Sequence, residues 1–261
     1  MNRLFIRSFF LIGLFFIIGA CTPEEMNEEE AQDKTKIYIM AAASLTDALN
    51  EVQAIYEEKN DLELSITYGS SGQLRQQISQ GAPADIFLSA SQSDMEKLES
   101  KGETSESTSL LLNELIFISN PEAADLVSDW DGLLQDNLQG VAIGRPEIVP
   151  AGQYARQSLE ELGIWKEIEN NIVYGSDVRK VLTYVETGNV DAGIVYKTDA
   201  MTSDKVEMIA SAPEETHDPI SYPVGLLKTA QNNKEAHDFY EWLQTDEPLS
   251  IFESYGFERH P

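Results

Sequence analysis

The sequence is poor in the residues that carry most covalent and metal chemistry. Its 261 residues hold one cysteine, Cys21, and three histidines, His217, His237 and His260, all late in the chain. A lone cysteine excludes an intrachain disulfide framework. The absence of clustered His or Cys ligands excludes a zinc-binding design. Positive charge is scarce too: 18 Lys and Arg stand against 45 Asp and Glu, a net charge of −27. A chain this acidic does not bind nucleic acid by neutralising phosphates. An anionic ligand would have to approach against the field of the whole molecule, so its site must compensate locally. No Gly-x-Ser-x-Gly elbow accompanies any serine, which argues against a serine-dependent α/β enzyme.

Long apolar runs are nearly missing as well. The single marked one, Phe9 to Ile18, follows Arg3 and Arg7 and ends in Ile18-Gly19-Ala20-Cys21. It is shorter than the ~20 residues a membrane span needs and has the pattern of a signal peptide. Small residues before the only cysteine resemble a bacterial lipobox, where the peptide is cut before Cys21 and the thiol is lipidated. Residues 21–34 follow as a polar, acidic, charge-extended tether. The remainder, 42% hydrophobic and 24% charged over the whole chain, has the composition of a globular protein. It is expected to be soluble outside the cytoplasmic membrane.

From residue 35 onward strand-like and helix-like segments alternate. The patterning predicts strands at 36–41, 63–68, 85–89, 115–119, 140–144, 171–174, 192–196, 206–209 and 222–227. Helices are predicted at 45–58, 72–80, 92–100, 153–162, 177–187, 233–244 and 247–254. The βαβ rhythm implies an α/β fold of parallel sheets with helices on both faces. Crossovers between two domains are expected near 110–120 and 217–222. This divides the chain into a signal peptide (1–20), the tether (21–34), a first domain (35–113 with 219–261) and a second (114–218).

Four strand-to-helix junctions carry small or hydroxyl residues. KIYIMAAASLTDALNEV passes from a strand through three alanines to Ser44, and Asp47 completes a Ser-x-x-Asp capping pattern. On that stretch alone Ser44 reads simply as a helix cap. The motif recurs, however. ITYGSSGQLRQQI offers Ser70 and Ser71 between Gly69 and Gly72, VPAGQYARQ opens a helix at Pro150-Ala151-Gly152, and YGSDVRKVL places Ser176 where it can cap a helix beginning at Asp177 and Val178. In open α/β sheets ligands bind beyond the carboxyl ends of the strands. Helix N-termini there present free N–H groups and the positive end of the helix dipole, an anion site without formal charge. Ser44 is expected to accept from its own helix while donating its hydroxyl to an anion, with Asp47 turned away. Arg75, Arg145 and Arg179 lie near these junctions and are expected in structural roles; the histidines are expected at the surface.

In order along the chain, AAASLTDAL, YGSSGQLRQQI, QGAPADIFLSA, GRPEIVPAGQYA, SDVRKVL, DAGIVYKTDA and YPVGLL resemble the periplasmic molybdate-binding proteins, the substrate-binding components of molybdate ABC transporters. The likeness covers nearly all of residues 35–259. It implies a type II periplasmic binding protein fold, two α/β domains with the ligand between them, and no catalysis and no cofactor. It further implies capture of molybdate, and of tungstate, for a permease in the cytoplasmic membrane, by a monomer held on the extracytoplasmic face through its lipid. Matched motif by motif, the ligand donors fall on the hydroxyls of Ser44 and Ser71, the backbone amides of Ala151 and Val178, and the phenol of Tyr196. Neighbouring Ser70 is an alternative to Ser71, and the segment departs from the family pattern in having Gly72-Gln73 where further hydroxyl residues are usual. Sulfate or phosphate is the alternative tetrahedral ligand.

Overall fold

Apolar residues alternate along the first strand, so Ile37, Ile39 and Ala41 enter one core while Met40 enters another on the opposite face. The computed structural model in which this is seen describes residues 34–261; the signal-type run, Cys21 and the tether up to residue 33 lie outside it. That strand, β1 (Thr35–Ala42), leads through a short 3-10 turn (Ala43–Leu45) into α1 (Thr46–Lys59). Leu49 and Val52 of α1 are fully buried, each contributing roughly 1.5–3 kcal/mol of apolar burial. There follow β2 (Leu62–Gly69), α2 (Ser71–Ser79), β3 (Ile86–Leu88), α3 (Gln92–Ser100) and β4 (Thr104–Leu112).

The chain then builds a second sheet: β5 (Leu115–Ser119), β6 (Val141–Gly144), α4 (Pro150–Glu161), α5 (Trp165–Ile168), β7 (Ile172–Gly175), α6 (Val178–Glu186), β8 (Ala192–Tyr196), α7 (Lys197–Ala200) and β9 (Glu207–Ser211). It returns to the first sheet with β10 (Ser221–Leu227), α8 (Lys234–Trp242), α9 (Asp246–Ser254) and β11 (Glu258–Arg259). The first sheet has the order β11-β4-β10-β3-β1-β2 and the second β7-β6-β8-β5-β9. Each sheet with its helices forms a lobe, and a cleft lies between the lobes. Among the described residues no helix is long and apolar enough to cross a membrane.

The structure corrects the reading of the strands on two points. The sheets are mixed, not parallel: β10 runs antiparallel to β3 and β4, and β5 antiparallel to β8 and β9. These are the strands on which the chain changes sheets, and a chain entering from the other lobe arrives at the opposite end of the strand. The second point is β4 and β11, absent from the predicted strands. Thr104 to Ser109 are polar and mostly solvent-facing, so they lack the apolar alternation that marks a strand; backbone pairing to β10 holds them.

What remains parallel positions the cleft. In the first lobe β1 pairs in parallel with both β2 and β3, so Ala42, Gly69 and Leu88 end at one edge. In the second lobe β6 pairs in parallel with β7 and β8, bringing Gly144, Gly175 and Tyr196 to one edge. Six carboxyl ends thus border the cleft, as the crevice rule for such sheets requires.

Candidate functional site

The cavity between the lobes is lined by Ala42, Ala43, Ser44, Gly69, Ser70, Ser71, Ala90, Val149, Pro150, Ala151, Asp177, Val178 and Tyr196. Ser44, Ser71, Ala151, Val178 and Tyr196 all face it, from five chain segments. Cys21 lies outside the described residues.

Ser44 is not the cap of α1. It sits inside the 3-10 turn, and the residue preceding α1 is Leu45, which offers no capping side chain. The tight turn moves the hydroxyl off the helix axis, and Ser44 Oγ instead meets Tyr222 Oη at 2.9 Å, 178 residues away. Asp47 is turned outward and pairs with Arg179.

Ser70 and Ser71 have different surroundings. Ser71 is fully buried at the start of α2, and its Oγ accepts the Ala90 N–H at 2.9 Å. That bond takes a lone pair and leaves the Ser71 proton free to donate. Ser70 precedes the helix with an extended backbone, does not cap it, and keeps its buried Oγ without a partner. Gly72 has a steric reason to be glycine. Its N–H donates to Ile148 O of the second lobe at 3.0 Å, and a Cβ there would stand 2.6 Å from the same oxygen. A hydroxyl residue at 72 would keep the lobes apart.

On the second lobe Ala151 follows Pro150 in the first turn of α4, where proline's missing N–H costs nothing. Gly152 lets α4 sit on β6: a Cβ would come within 1.8 Å of Gly144 O. Val178 begins α6. Both amides belong to first helical turns, which leave their N–H groups without intrahelical acceptors. The α6 cap is Asp177, not Ser176. Asp177 Oδ1 accepts the Lys180 N–H at 2.9 Å, and its Oδ2 accepts from Ser176 Oγ at 2.9 Å. Both carboxylate oxygens of this cavity-lining acid are therefore engaged by donors of their own helix turn.

Tyr196 closes β8 and is buried. Burial, reinforced by the neighbouring Tyr222, pushes its phenol well above the ordinary tyrosine range, so it stays a donor. Its Oη lies 3.5 Å from Ala90 O, a contact at the limit of hydrogen bonding that a better acceptor in the cavity can displace.

The three arginines stay off the cavity wall. Arg75 pairs with Asp94 at 2.8 Å, Arg145 lies over the Tyr174 ring at 5.7 Å, and Arg179 bridges Asp47 of the first lobe and Asp199 of the second. Asp199 is fully buried, 2.7 Å from Arg179 Nε; burial pushes its carboxyl up to about 7 against the pull of that guanidinium. Among the described residues no group of three or more His, Cys, Asp or Glu is placed to hold a metal cation.

Sequence reasoning missed Tyr222 and Asn113. Tyr222 is buried behind Ser44, and Asn113 Nδ2 donates to Tyr222 Oη at 3.2 Å. YPVGLL reads as a strand and as one of the seven resembling segments, and nothing local reveals that its tyrosine reaches the Ser44 turn.

Residues 37–258 match the family model described as bacterial extracellular solute-binding protein. The chain is 43% identical over 255 residues to a protein of Bacillus subtilis strain 168 that carries the provisional name of ABC transporter substrate-binding lipoprotein, covering 96% of this chain and 97% of that one. It is 37% identical over 230 residues to the molybdate-binding protein of Haemophilus influenzae, covering 85% and 89%. Among solved structures it is similar to the substrate-binding domain of a provisionally named molybdenum ABC transporter from Clostridium difficile. There the TM-score is 0.67 at 35% identity, with 87% of this chain and 100% of that one covered.

Proposed function

This chain belongs to the family of bacterial extracellular solute-binding proteins, and from that premise we propose that it captures molybdate, and tungstate with it, for an ABC importer. It is a binding protein and not an enzyme. The observation that carries the ligand assignment is the convergence of uncharged donors on one cavity. Ser44 and Ser71 hydroxyls approach from the first lobe, Ala151 and Val178 amides and the Tyr196 phenol from the second. A doubly negative tetrahedral ion offers only acceptors, and each of these groups can turn a donor toward it. Helix N-termini supply partial positive charge in place of arginine, which suits an ion that must be released again. Sulfate carries the same charge, so discrimination rests on cavity size and fixed donor spacing.

In this reading residues 35–113 with 219–261 and residues 114–218 are the two domains, and the crossovers near 113 and 219 act as hinges that close them around the ion. Residues 1–20 are removed, Cys21 carries the lipid, and the acidic tether holds the monomeric receptor on the outer face of the cytoplasmic membrane near its permease. Calorimetric titration with molybdate, tungstate, sulfate and phosphate tests the assignment. Molybdate and tungstate should bind with similar affinity and far more tightly than the other two. Sulfate or phosphate outcompeting molybdate would overturn it.

A further inference from the structure

Behind the cavity, Ser44 joins a chain of hydrogen bonds that runs through Tyr222 to Asn113. Asn113 sits between β4 and β5, where the chain leaves the first sheet for the second. Its Oδ1 accepts the Glu114 N–H at 2.8 Å, which fixes the amide so that Nδ2 points the other way. Nδ2 then donates twice, to Thr198 Oγ1 of the second lobe at 2.9 Å and to Tyr222 Oη of the first at 3.2 Å. An amide nitrogen can only donate, so Tyr222 Oη is an acceptor there and its own proton is available elsewhere. Ser44 Oγ lies within reach at 2.9 Å, a pair in which either oxygen can donate, and the Tyr196 phenol is the other hydroxyl beside Tyr222. Burial holds the Tyr222 phenol well above the ordinary tyrosine range, so the proton is always present to be given.

We propose that Tyr222 is a positioning and specificity-determining residue: held by Asn113, it donates to Ser44 and thereby commits the Ser44 proton to the cavity. Among the described residues Ser44 Oγ has no other hydrogen-bond partner in the protein, so its proton is left for the ligand. The inference rests on the oxyanion reading of the site. Its consequence is selective. A Ser44 that has already accepted from Tyr222 is poorly placed to accept again, so it favours a fully deprotonated oxyanion. It disfavours one that keeps a proton, such as hydrogen phosphate, whose P–O–H needs an acceptor. With Tyr222 silent, Ser44 regains the choice between donating and accepting.

The test is a double-mutant cycle with Ser44→Ala, Tyr222→Phe and the double variant. Each is titrated with molybdate and with inorganic phosphate at mildly alkaline pH, after thermal melting without ligand. Tyr222→Phe should weaken molybdate binding about three- to tenfold, the worth of one hydrogen bond. The ratio of phosphate to molybdate affinity should rise, and the double variant should bind molybdate no more weakly than Ser44→Ala. Asn113→Ala, which keeps the phenol, should shift the ratio the same way by less, and serves if Tyr222→Phe does not fold. Losses that multiply in the double variant, or an unchanged ratio, would overturn the relay while leaving the ligand assignment intact. A wild-type protein that does not bind molybdate overturns the oxyanion reading itself, and the relay with it.

Discussion

On the first lobe the cavity is lined by side-chain hydroxyls, Ser44, Ser70 and Ser71; on the second by the first-turn amides of α4 and α6 and a single phenol, Tyr196. The chemistry is the same, donors without charge, but the supports differ. A hydroxyl rotates and must be told where to point, so the first lobe gives two of its three serines buried partners, Tyr222 for Ser44 and the Ala90 N–H for Ser71, and leaves Ser70 Oγ without one among the described residues. An amide is aimed by the helix it belongs to, so the second lobe needs only helices seated correctly, as Gly152 does for α4. The lobes also differ in what they bury near the rim: the first has neutral Tyr222, the second a carboxylate, Asp199.

That last contrast carries the largest expected effect. The Asp199 carboxyl titrates at about 7 in the folded protein against 3.8 for an unperturbed group. Between those values the folded chain holds a proton that the unfolded chain has lost. Its contribution to stability therefore declines as pH rises from about 4 to about 7 and is level above. Asp199→Asn removes the decline. Unfolding curves across that window should move in the variant's favour, relative to wild type, by up to about 4 kcal/mol as pH rises. Parallel profiles for the two proteins would show that the buried charge makes no difference between the lobes.

Closure ranks next. In Gly72→Ala the new Cβ meets the Ile148 backbone at 2.6 Å, an overlap costing about 1–3 kcal/mol. Molybdate affinity should fall by up to about a hundredfold while the melting temperature without ligand barely changes. Wild-type affinity would mean the lobes do not close through this contact.

The comparison itself is tested by deleting one donor from each wall. Val178→Pro removes an amide proton at the first position of α6, where proline suits a helix and Asp177 is already extended, at φ −156° and ψ 174°. Ser44→Ala removes a hydroxyl. Each should cost about 1.5–3 kcal/mol of molybdate binding, the worth of a hydrogen bond to a charged group, with the unliganded fold retained by circular dichroism. If only the serine variant weakens, the amide wall is a scaffold and not a set of ligand donors.

Much of the helix and strand order could be read from periodicity, and four of the junctions could be read from their small and hydroxyl residues. β4 escaped because pairing with β10, not apolar alternation, makes Thr104–Ser109 a strand. Ser176 was mistaken for the α6 cap because Ser and Asp are both good caps and adjacent; the geometry gave the role to Asp177. Ser44 was read as a cap because a strand-to-helix serine usually is one, and a 3-10 turn cannot be told from an α-helical start by residue types.

The sequence by itself determined the local chemistry: an acidic chain, short of cysteine, histidine and positive charge, with neutral donors at the starts of helices. These follow from composition and from patterns a few residues long, which short-range sterics and burial decide. Only the tertiary structure decided which donors share a cavity and what stands behind each. The partner of Ser44 lies 178 residues away, on a strand antiparallel to its neighbours. A contact at that range depends on sheet order and on where the chain crosses between lobes, and no local pattern encodes either.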